Sequence, residues 1–190
     1  MLKFTKQKEM KKTDLSKYKT VWYNDHAFRK ILWYFINALF FLNPLNPFSS
    51  LKILLLRIFG AKIGDHVLIK PRVNVKYPWL LEIGNYVWIG ENVWIDNLGK
   101  VKIGDNVCIS QGAMLLTGNH NYKKSTFDLI IKEIILEDGV WIGAKAIVCP
   151  GVNCGSNSFL TAGSVATKNM EQFMIYQGNP AMPIKKREIE

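Results

Sequence analysis

Apolar residues recur at every sixth position over most of the chain after Gly60. Each anchor of this repeat is an aliphatic residue, or Cys or Ala in two of the last repeats, and an apolar or small residue stands two positions before it. The anchors are residues 63, 69, 75, 83, 89, 95, 103, 109, 115, 136, 142, 148, 154, 160 and 166. A period of six fits neither an α-helix nor an alternating strand, and it predicts a solenoid in which each hexad forms one short strand and one corner.

The repeat is interrupted three times, each time after a complete set of three anchors. The spacing grows from six to eight residues after Val75 and Ile95, and to twenty-one residues after Leu115. Three strands per coil would place all three insertions at one corner of a triangular prism of about five coils. Insertions on a rigid scaffold are loops that often carry function, so we expect the site at this corner. A twisted antiparallel sandwich is the alternative fold, but it requires no six-residue repeat.

The first sixty residues follow a different pattern. Apolar stretches at 27–42 and 51–59 predict two helices, the second ended by Gly60. The predicted organisation is an N-terminal helical appendage at 1–60, a β-helix at 61–170 with a loop insertion at 116–133, and a short C-terminal helix or tail at 171–190. The longest apolar run, 31–42, is shorter than the roughly 20 residues of a membrane-spanning helix. The amino terminus does not resemble a signal peptide.

Composition and charge narrow the choice of partners. Hydrophobic residues at 48% and charged residues at 21% indicate a folded globular protein. The formal charge of +10 favours anionic partners, namely phosphates, nucleotides, nucleic acid or acidic lipid. No recognition motif accompanies the amino-terminal lysines, so no nucleic-acid binding is expected. Three cysteines without a secretory context favour a reducing cytoplasm.

Four segments, at 94–99, 109–113, 117–120 and 178–181, give the sequence a family resemblance. Together with the hexads, they resemble the bacterial hexapeptide-repeat acyltransferases, and within these the colanic acid biosynthesis O-acetyltransferase group. The resemblance covers residues 61–185. It implies an all-β, left-handed parallel β-helix, a homotrimer with active sites between subunits, and acetyl-CoA as co-substrate.

His120 is the predicted catalytic base, because it lies in the long insertion, away from the core. A free imidazole titrates near pH 6.5, so it can accept a hydroxyl proton and return it to a thiolate leaving group. The resemblance implies the same role. His26 and His66 are expected to be structural or solvated. Cys108, Cys149 and Cys154 occupy repeat positions expected to point mostly inward, so direct transfer without an acyl-enzyme is predicted.

Polar residues near the same corner are candidates to assist His120. Asp96 lies one coil below the insertion, and strands of neighbouring coils are about 4.8 Å apart. We expect its carboxylate to accept a hydrogen bond from the Nδ1–H of His120 and so hold the tautomer, with a turn cap as the alternative role. Asn92 and Asn97 are rival candidates for polar contacts. The predicted substrate-binding residues are Asn92, Asn97 and Asn119.

The resemblance also implies a donor site along the coils. Small residues would let the pantetheine arm lie against the backbone, while basic side chains would meet the phosphates. The predicted donor residues are Trp141, Gly143, Ala144, Ala162, Gly163, Thr167, Lys168 and Lys185. We expect the donor to run along the prism axis between Trp141 and Lys168. For residues 185–187, a solvated tail is the alternative.

The predicted reaction is transfer of the acetyl group of acetyl-CoA to a sugar hydroxyl in polysaccharide or glycan biosynthesis. N-acetylation of an amino-sugar nucleotide and acetylation of a xenobiotic such as an antibiotic are the alternatives. No metal site is expected, because the three histidines do not recur at coil spacing. The amino-terminal helices are expected to cover the first coil, with peripheral membrane contact as a second role. The predicted location is the cytoplasm or the inner face of the membrane.

Overall fold

The computed structural model describes residues 11–19 and 27–190, and its main body is a parallel β-helix. Two helices precede it, α1 (Ala27–Ile36), which continues as a π-helical turn (Asn37–Phe41), and α2 (Ser49–Ile58); single 3-10 turns lie at Leu15–Lys17 and Pro78–Leu80. In chain order the strands are β1 (Lys62–Ile63), β2 (Leu68–Ile69), β3 (Asn74–Val75), β4 (Leu81–Ile83), β5 (Trp88–Ile89), β6 (Trp94–Asp96), β7 (Val101–Ile103), β8 (Cys108–Ile109), β9 (Met114–Leu116), β10 (Gly118–His120), β11 (Leu129–Ile131), β12 (Ile134–Leu136), β13 (Trp141–Ile142), β14 (Ile147–Val148), β15 (Asn153–Cys154), β16 (Phe159–Leu160), β17 (Val165–Ala166), β18 (Met174–Gly178) and β19 (Ala181–Lys186).

Three parallel sheets form the faces of the prism. Face A contains β1, β4, β7, β12 and β15, face B contains β2, β5, β8, β13, β16 and β18, and face C contains β3, β6, β9, β14 and β17. The register stacks anchor on anchor, as where Ile83 pairs with Ile103 and Ile103 with Leu136. All anchors from Ile69 to Ala166 are buried inside the prism. The predicted six-residue solenoid is therefore confirmed, with five full coils in the described residues and a sixth begun by Met170 and β18.

The amino-terminal helices cover the open end of the first coil. Lys52 of α2 is buried, and its Nζ donates to the carbonyl oxygens of Ile69 at 3.3 Å and Lys70 at 3.0 Å. The indole Nε1 of Trp33 donates to the carbonyl of Val75 at 2.8 Å. These donors pair with strand-edge carbonyls that a further coil would otherwise satisfy. The predicted covering role of the helices is confirmed.

The carboxyl-terminal segment differs from the expected helix or tail. Its strand β18 joins face B beside β16, and β19 folds back antiparallel to β18. Tyr176 is buried under the last coil, and Arg187 donates to the carbonyls of Gly139 at 2.9 Å and Asn157 at 3.2 Å. A hairpin forms here because the last coil also presents an open strand edge that must be paired.

The three insertions all leave the corner between faces C and A, which we call the CA corner. Between coils 3 and 4 the insertion is an antiparallel hairpin of β10 and β11. At the corner between faces B and C, the BC corner, one residue of each coil has a left-handed backbone. These residues are Arg72, Asn92, Gly112, Lys145 and Gly163. Among the described helices, none has the length and apolar character needed to cross a bilayer.

Candidate active site

The hairpin that carries His120 is fastened to the coil below it. Thr117 is buried at the root of the hairpin, where its hydroxyl donates to the carbonyl of Asp96 at 3.0 Å and accepts the amide N–H of Gly99 at 2.8 Å. Strand pairing then sets His120 opposite Leu129. His120 therefore lies on a paired β-strand whose root is hydrogen-bonded to the neighbouring coil, and not on an unpaired loop.

The imidazole of His120 is held in one tautomer. Its Nδ1 lies 2.9 Å from the carbonyl oxygen of Phe127. A carbonyl can only accept, so Nδ1 carries the proton and the neutral ring presents its lone pair at Nε2. The Phe127 ring stacks on the imidazole at 4.3 Å and 6°, and Tyr18 meets it edge-on at 5.7 Å. Phe127 has φ of 51°, a left-handed conformation rare for a bulky residue, and this backbone directs its carbonyl and its ring to the same histidine.

Asp96 does not hold the His120 ring within the chain. Its carboxylate forms an ion pair with Lys76 Nζ at 2.8 Å, and the Nδ1 of His120 is engaged by the Phe127 carbonyl instead. The register explains this outcome, because Val75 pairs with Ile95 and the next two residues, Lys76 and Asp96, therefore lie side by side. The expected orienting role belongs to a backbone carbonyl, and Asp96 is a corner residue.

The three asparagines are placed differently from one another. Asn97 is fully buried, and its amide bonds both the N–H of Tyr77 at 3.0 Å and the carbonyl of Tyr77 at 2.6 Å, so it joins two coils and cannot reach a substrate. Asn92 is exposed at the BC corner with φ of 58°, which explains its residue type as a turn position. Asn119 is exposed, and its Oδ1 accepts the backbone N–H of His120 at 2.7 Å.

Most of the predicted donor residues gather at or beside the BC corner. Ala144, Ala162 and Gly163 form this corner in coils 4 and 5, and a Cβ added to Gly163 would meet no atom of the described residues within 4 Å. The space beside the corner is therefore open to a long ligand. Gly143 is a packing position, since an added Cβ would lie 2.6 Å from the backbone nitrogen of Ala162 in the next coil. Trp141 lies on face B, stacked on Phe159 at 4.1 Å.

The basic donor candidates do not lie on one line with Trp141. Thr167 and Lys168 follow β17 and are exposed at the CA corner, whereas Lys185 is exposed on β19, which extends face B. The expected path along the prism axis from Trp141 to Lys168 is wrong, because the two residues belong to different sides of the prism. On one chain, the donor candidates are divided among the BC corner, the CA corner and face B.

Comparisons with known proteins identify the family. The chain is 34% identical over 162 residues to an Escherichia coli K12 protein named as a colanic acid biosynthesis acetyltransferase, WcaF, covering 85% of this chain and 89% of the relative. It is 30% identical over 134 residues to the galactoside O-acetyltransferase of the same organism, covering 69% of this chain and 66% of that protein. The chain belongs to the hexapeptide-repeat acetyltransferases. No protein-family model matches it.

Solved structures share the fold of this acetyltransferase. A galactoside acetyltransferase in complex with coenzyme A superposes with a TM-score of 0.75 at 24% identity, covering 85% of this chain and 82% of that one. A hexapeptide-repeat acetyltransferase from Vibrio cholerae in complex with acetyl-CoA has a TM-score of 0.70 at 23% identity, covering 77% and 81%. The acetyltransferase class follows from the sequence relatives, and the solved structures share its fold.

The cysteines of the acetyltransferase are unsuited to nucleophilic catalysis. Burial raises the pKa of the Cys154 thiol to about 12, and it also raises the pKa of the partly buried Cys108 and Cys149 thiols. A thiol with a raised pKa is rarely the thiolate that attack requires. Each therefore remains a neutral packing residue near neutral pH, as direct transfer predicts.

The other histidines stand apart from the site. His66 stacks on Tyr86 at 4.7 Å at a corner between faces A and B and has φ of 56°, which is a structural position. His26 lies outside the described residues. In the part of the chain that the structure describes, no three His, Cys, Asp or Glu side chains are grouped closely enough to hold a metal ion.

Two aromatic residues of the site were missed by the sequence analysis. Phe127 and Tyr18 contact His120, but neither belongs to the six-residue repeat. Tyr18 is held over the hairpin by its neighbour Asp14, whose backbone N–H donates to the carbonyl of Ser125 at 2.8 Å. The signal in the sequence was the presence of aromatic residues in the polar stretch 117–128 of the insertion and in the lysine-rich segment 11–19.

Proposed function

We propose that this acetyltransferase moves the acetyl group of acetyl-CoA directly to a sugar hydroxyl in glycan biosynthesis, with His120 as the general base. The observation that carries the proposal is the fixed tautomer of His120, whose Nδ1–H is engaged by the Phe127 carbonyl so that Nε2 alone is free to accept a proton. The names of the two Escherichia coli relatives, which refer to colanic acid biosynthesis and to a galactoside, support a sugar acceptor.

The proton follows a short path in this reaction. Nε2 accepts the proton of the acceptor hydroxyl while the hydroxyl oxygen bonds to the carbonyl carbon of the acetyl group. The carbon–sulfur bond of the thioester then breaks. The imidazolium then returns the proton to the departing thiolate, so the base is regenerated. Acetyl-CoA supplies the activated acetyl group. The Phe127 carbonyl stabilises the transient positive charge on the ring by accepting its Nδ1–H.

We further propose a homotrimer in which two subunits complete each site. His120, Thr167 and Lys168 lie on the CA side of the chain, while Ala144 and Ala162 lie at the BC corner, so face C separates the two groups. A neighbouring copy would bring its BC corner to the His120 hairpin.

The outward side chains of the prism support this assembly. Face A presents charged and polar residues such as Lys62, Glu82 and Lys102. Face C presents an apolar outward row consisting of Trp94, Met114, Ile147 and Val165. An apolar sheet surface is suited to burial between subunits, whereas face A is suited to solvent.

Co-expression of two inactive variants tests the shared site. His120→Ala removes the base, and Ala162→Trp fills the open BC corner; each variant alone should lose most thiol release. In trimers mixed at random in equal amounts, a site with both parts intact forms in about one case in four, so about a quarter of wild-type activity should return. Mixed trimers with no recovered activity would place both groups in one subunit.

The reaction and the acceptor are tested by an acceptor screen. The full-length enzyme is incubated with acetyl-CoA and, separately, neutral sugars, amino-sugar nucleotides and chloramphenicol, and free thiol is measured. Release that depends on a neutral sugar, with an ester product, supports the proposal. Release that depends only on an amine or on the antibiotic would replace the proposed sugar acceptor by one of the alternatives.

Three free cysteines in the described residues support a reducing cytoplasm as the place of reaction.

A further inference from the structure

Helix α1 and the turn that continues it expose a row of large apolar side chains. We call this row the α1 stripe. It consists of Phe28, Ile31, Leu32, Phe35, Leu39 and Leu42, which are between 40% and 76% exposed. Apart from the adjacent Ile31 and Leu32, consecutive members are three or four residues apart, which places them on one side of the helix. The opposite side, with Trp33 and Phe41, is buried against the β-helix.

A helix with apolar side chains on two opposite sides is stable when each of those sides contacts an apolar environment. One side of α1 has this environment in the β-helix, while the α1 stripe is covered by no part of residues 11–19 or 27–190. A contiguous exposed patch of this kind marks a binding surface for a protein or a membrane. The charge of the chain decides between these partners.

Positive charge is concentrated in the same part of the chain. Residues 1–60 contain eleven Lys and Arg and three Asp and Glu, so they account for +8 of the formal +10, and no Asp or Glu occurs between Asp25 and Asp65. Lys11, Lys12 and Lys19 are exposed. Apolar helices with basic surroundings lie in the headgroup region of anionic bilayers, where both contributions add.

We propose that the α1 stripe is a membrane-docking surface whose partner is an anionic lipid bilayer. Tyr18 contacts the His120 ring, and eight residues of chain separate Tyr18 from Ala27, the first residue of α1. The nine steps from Tyr18 to Ala27 span at most about 30 Å, and the His120 ring centroid lies 5.7 Å from that of Tyr18, so the catalytic base stays within roughly 40 Å of the start of a docked α1. The natural acceptor is then a sugar carried on a lipid; this last step rests on the proposed function, whereas the docking does not.

Vesicle sedimentation tests the docking surface. The full-length protein is mixed with vesicles of phosphatidylcholine alone or with phosphatidylglycerol added, and the bound fraction is measured after centrifugation. We expect binding to the anionic vesicles that weakens as salt is raised, because the charge contribution is screened. Phe28→Ser combined with Phe35→Ser should lower that binding by about tenfold or more, since it removes two of the largest apolar groups.

A matched control distinguishes the stripe from general stickiness. Met182→Ser combined with Ile184→Ser removes two exposed apolar residues of β19, at the far end of the β-helix from α1. This control should bind vesicles like the wild type, and both double variants should keep the wild-type circular dichroism spectrum and thiol release with a soluble sugar.

Three results would overturn the proposal. The first is wild-type protein that sediments with neither kind of vesicle, and the second is an equal loss of vesicle binding in both double variants. The third is a stripe variant that binds vesicles like the wild type but has a changed sedimentation coefficient, which would assign the stripe to contact between copies of the chain. Failure of the proposed function is a separate outcome, since it would be seen as absent thiol release in protein that still binds vesicles.

Discussion

Replacing Phe127 separates the two ways in which this residue holds His120. The ring stacks on the imidazole at 4.3 Å, and the backbone carbonyl accepts the Nδ1–H at 2.9 Å. Phe127→Ala removes only the ring, because the carbonyl stays in the backbone. An aromatic stack is worth about 0.5–1.5 kcal/mol beyond the area it buries. If all of this energy keeps the imidazole in its productive orientation, kcat falls about two- to twelvefold, at about 1.4 kcal/mol per tenfold.

The expected loss has a recognisable kinetic pattern. The KM for acetyl-CoA should change little, because Phe127 contacts the proposed base, His120, and the donor candidates lie elsewhere on the chain. Phe127→Tyr should keep the stack and the rate. Tyr122→Ala is the matched control, since Tyr122 is a 77% exposed aromatic of the same insertion and its recorded ring contact is with Lys123. Thiol release is followed with the best acceptor from the screen. Wild-type kcat in Phe127→Ala, or an equal loss in Tyr122→Ala, would refute the positioning role.

Three further predictions concern residues away from the His120 ring. Asp96→Asn and Lys76→Met should lower Tm by similar amounts, the double variant should lose little more, and kcat should stay within about twofold, since the pair joins two coils and does not touch His120. Cys149→Ser should keep full thiol release and form no acyl-protein by mass spectrometry, because burial raises the pKa of this thiol. Hydrogen bonds from Asn153 and Ser156 lower the pKa of Glu137 in the folded protein, so its stabilising contribution is present above the unfolded pKa and is lost as pH falls through the folded one. Denaturation of Glu137→Gln should therefore show a stability deficit at pH 7 that shrinks as the pH falls through the folded-state pKa of Glu137.

The β-helix could be predicted because its core is chemically simple. Each coil buries one aliphatic anchor per face, as at Ile89, Ile109 and Ile142, and this requirement recurs regularly along the sequence. The insertions were visible as breaks in the same repeat. Handedness and subunit number are not encoded in such spacing and came only from the family resemblance.

Some contacts of the site residues are set by the coil spacing, and others are set by the conformation of the hairpin. The contacts of Asp96 and Asn97 could have been found, since twenty-residue coil spacing places Lys76 and Tyr77 directly beside them. The contact of His120 with Phe127 could not, because it depends on how a hairpin turns outside the repeat and on one left-handed residue. Periodicity therefore locates side chains on the prism but not within its longest insertion.

The most direct measurement of the central claim compares His120→Ala with the wild type in acetyl-CoA-dependent thiol release, using the best acceptor from the screen. The account predicts a folded oligomer that binds acetyl-CoA with unchanged affinity and turns over about a hundredfold more slowly or worse, the usual scale for loss of a general base. Thiol release near the wild-type rate in that variant would contradict the assignment of His120 as the base.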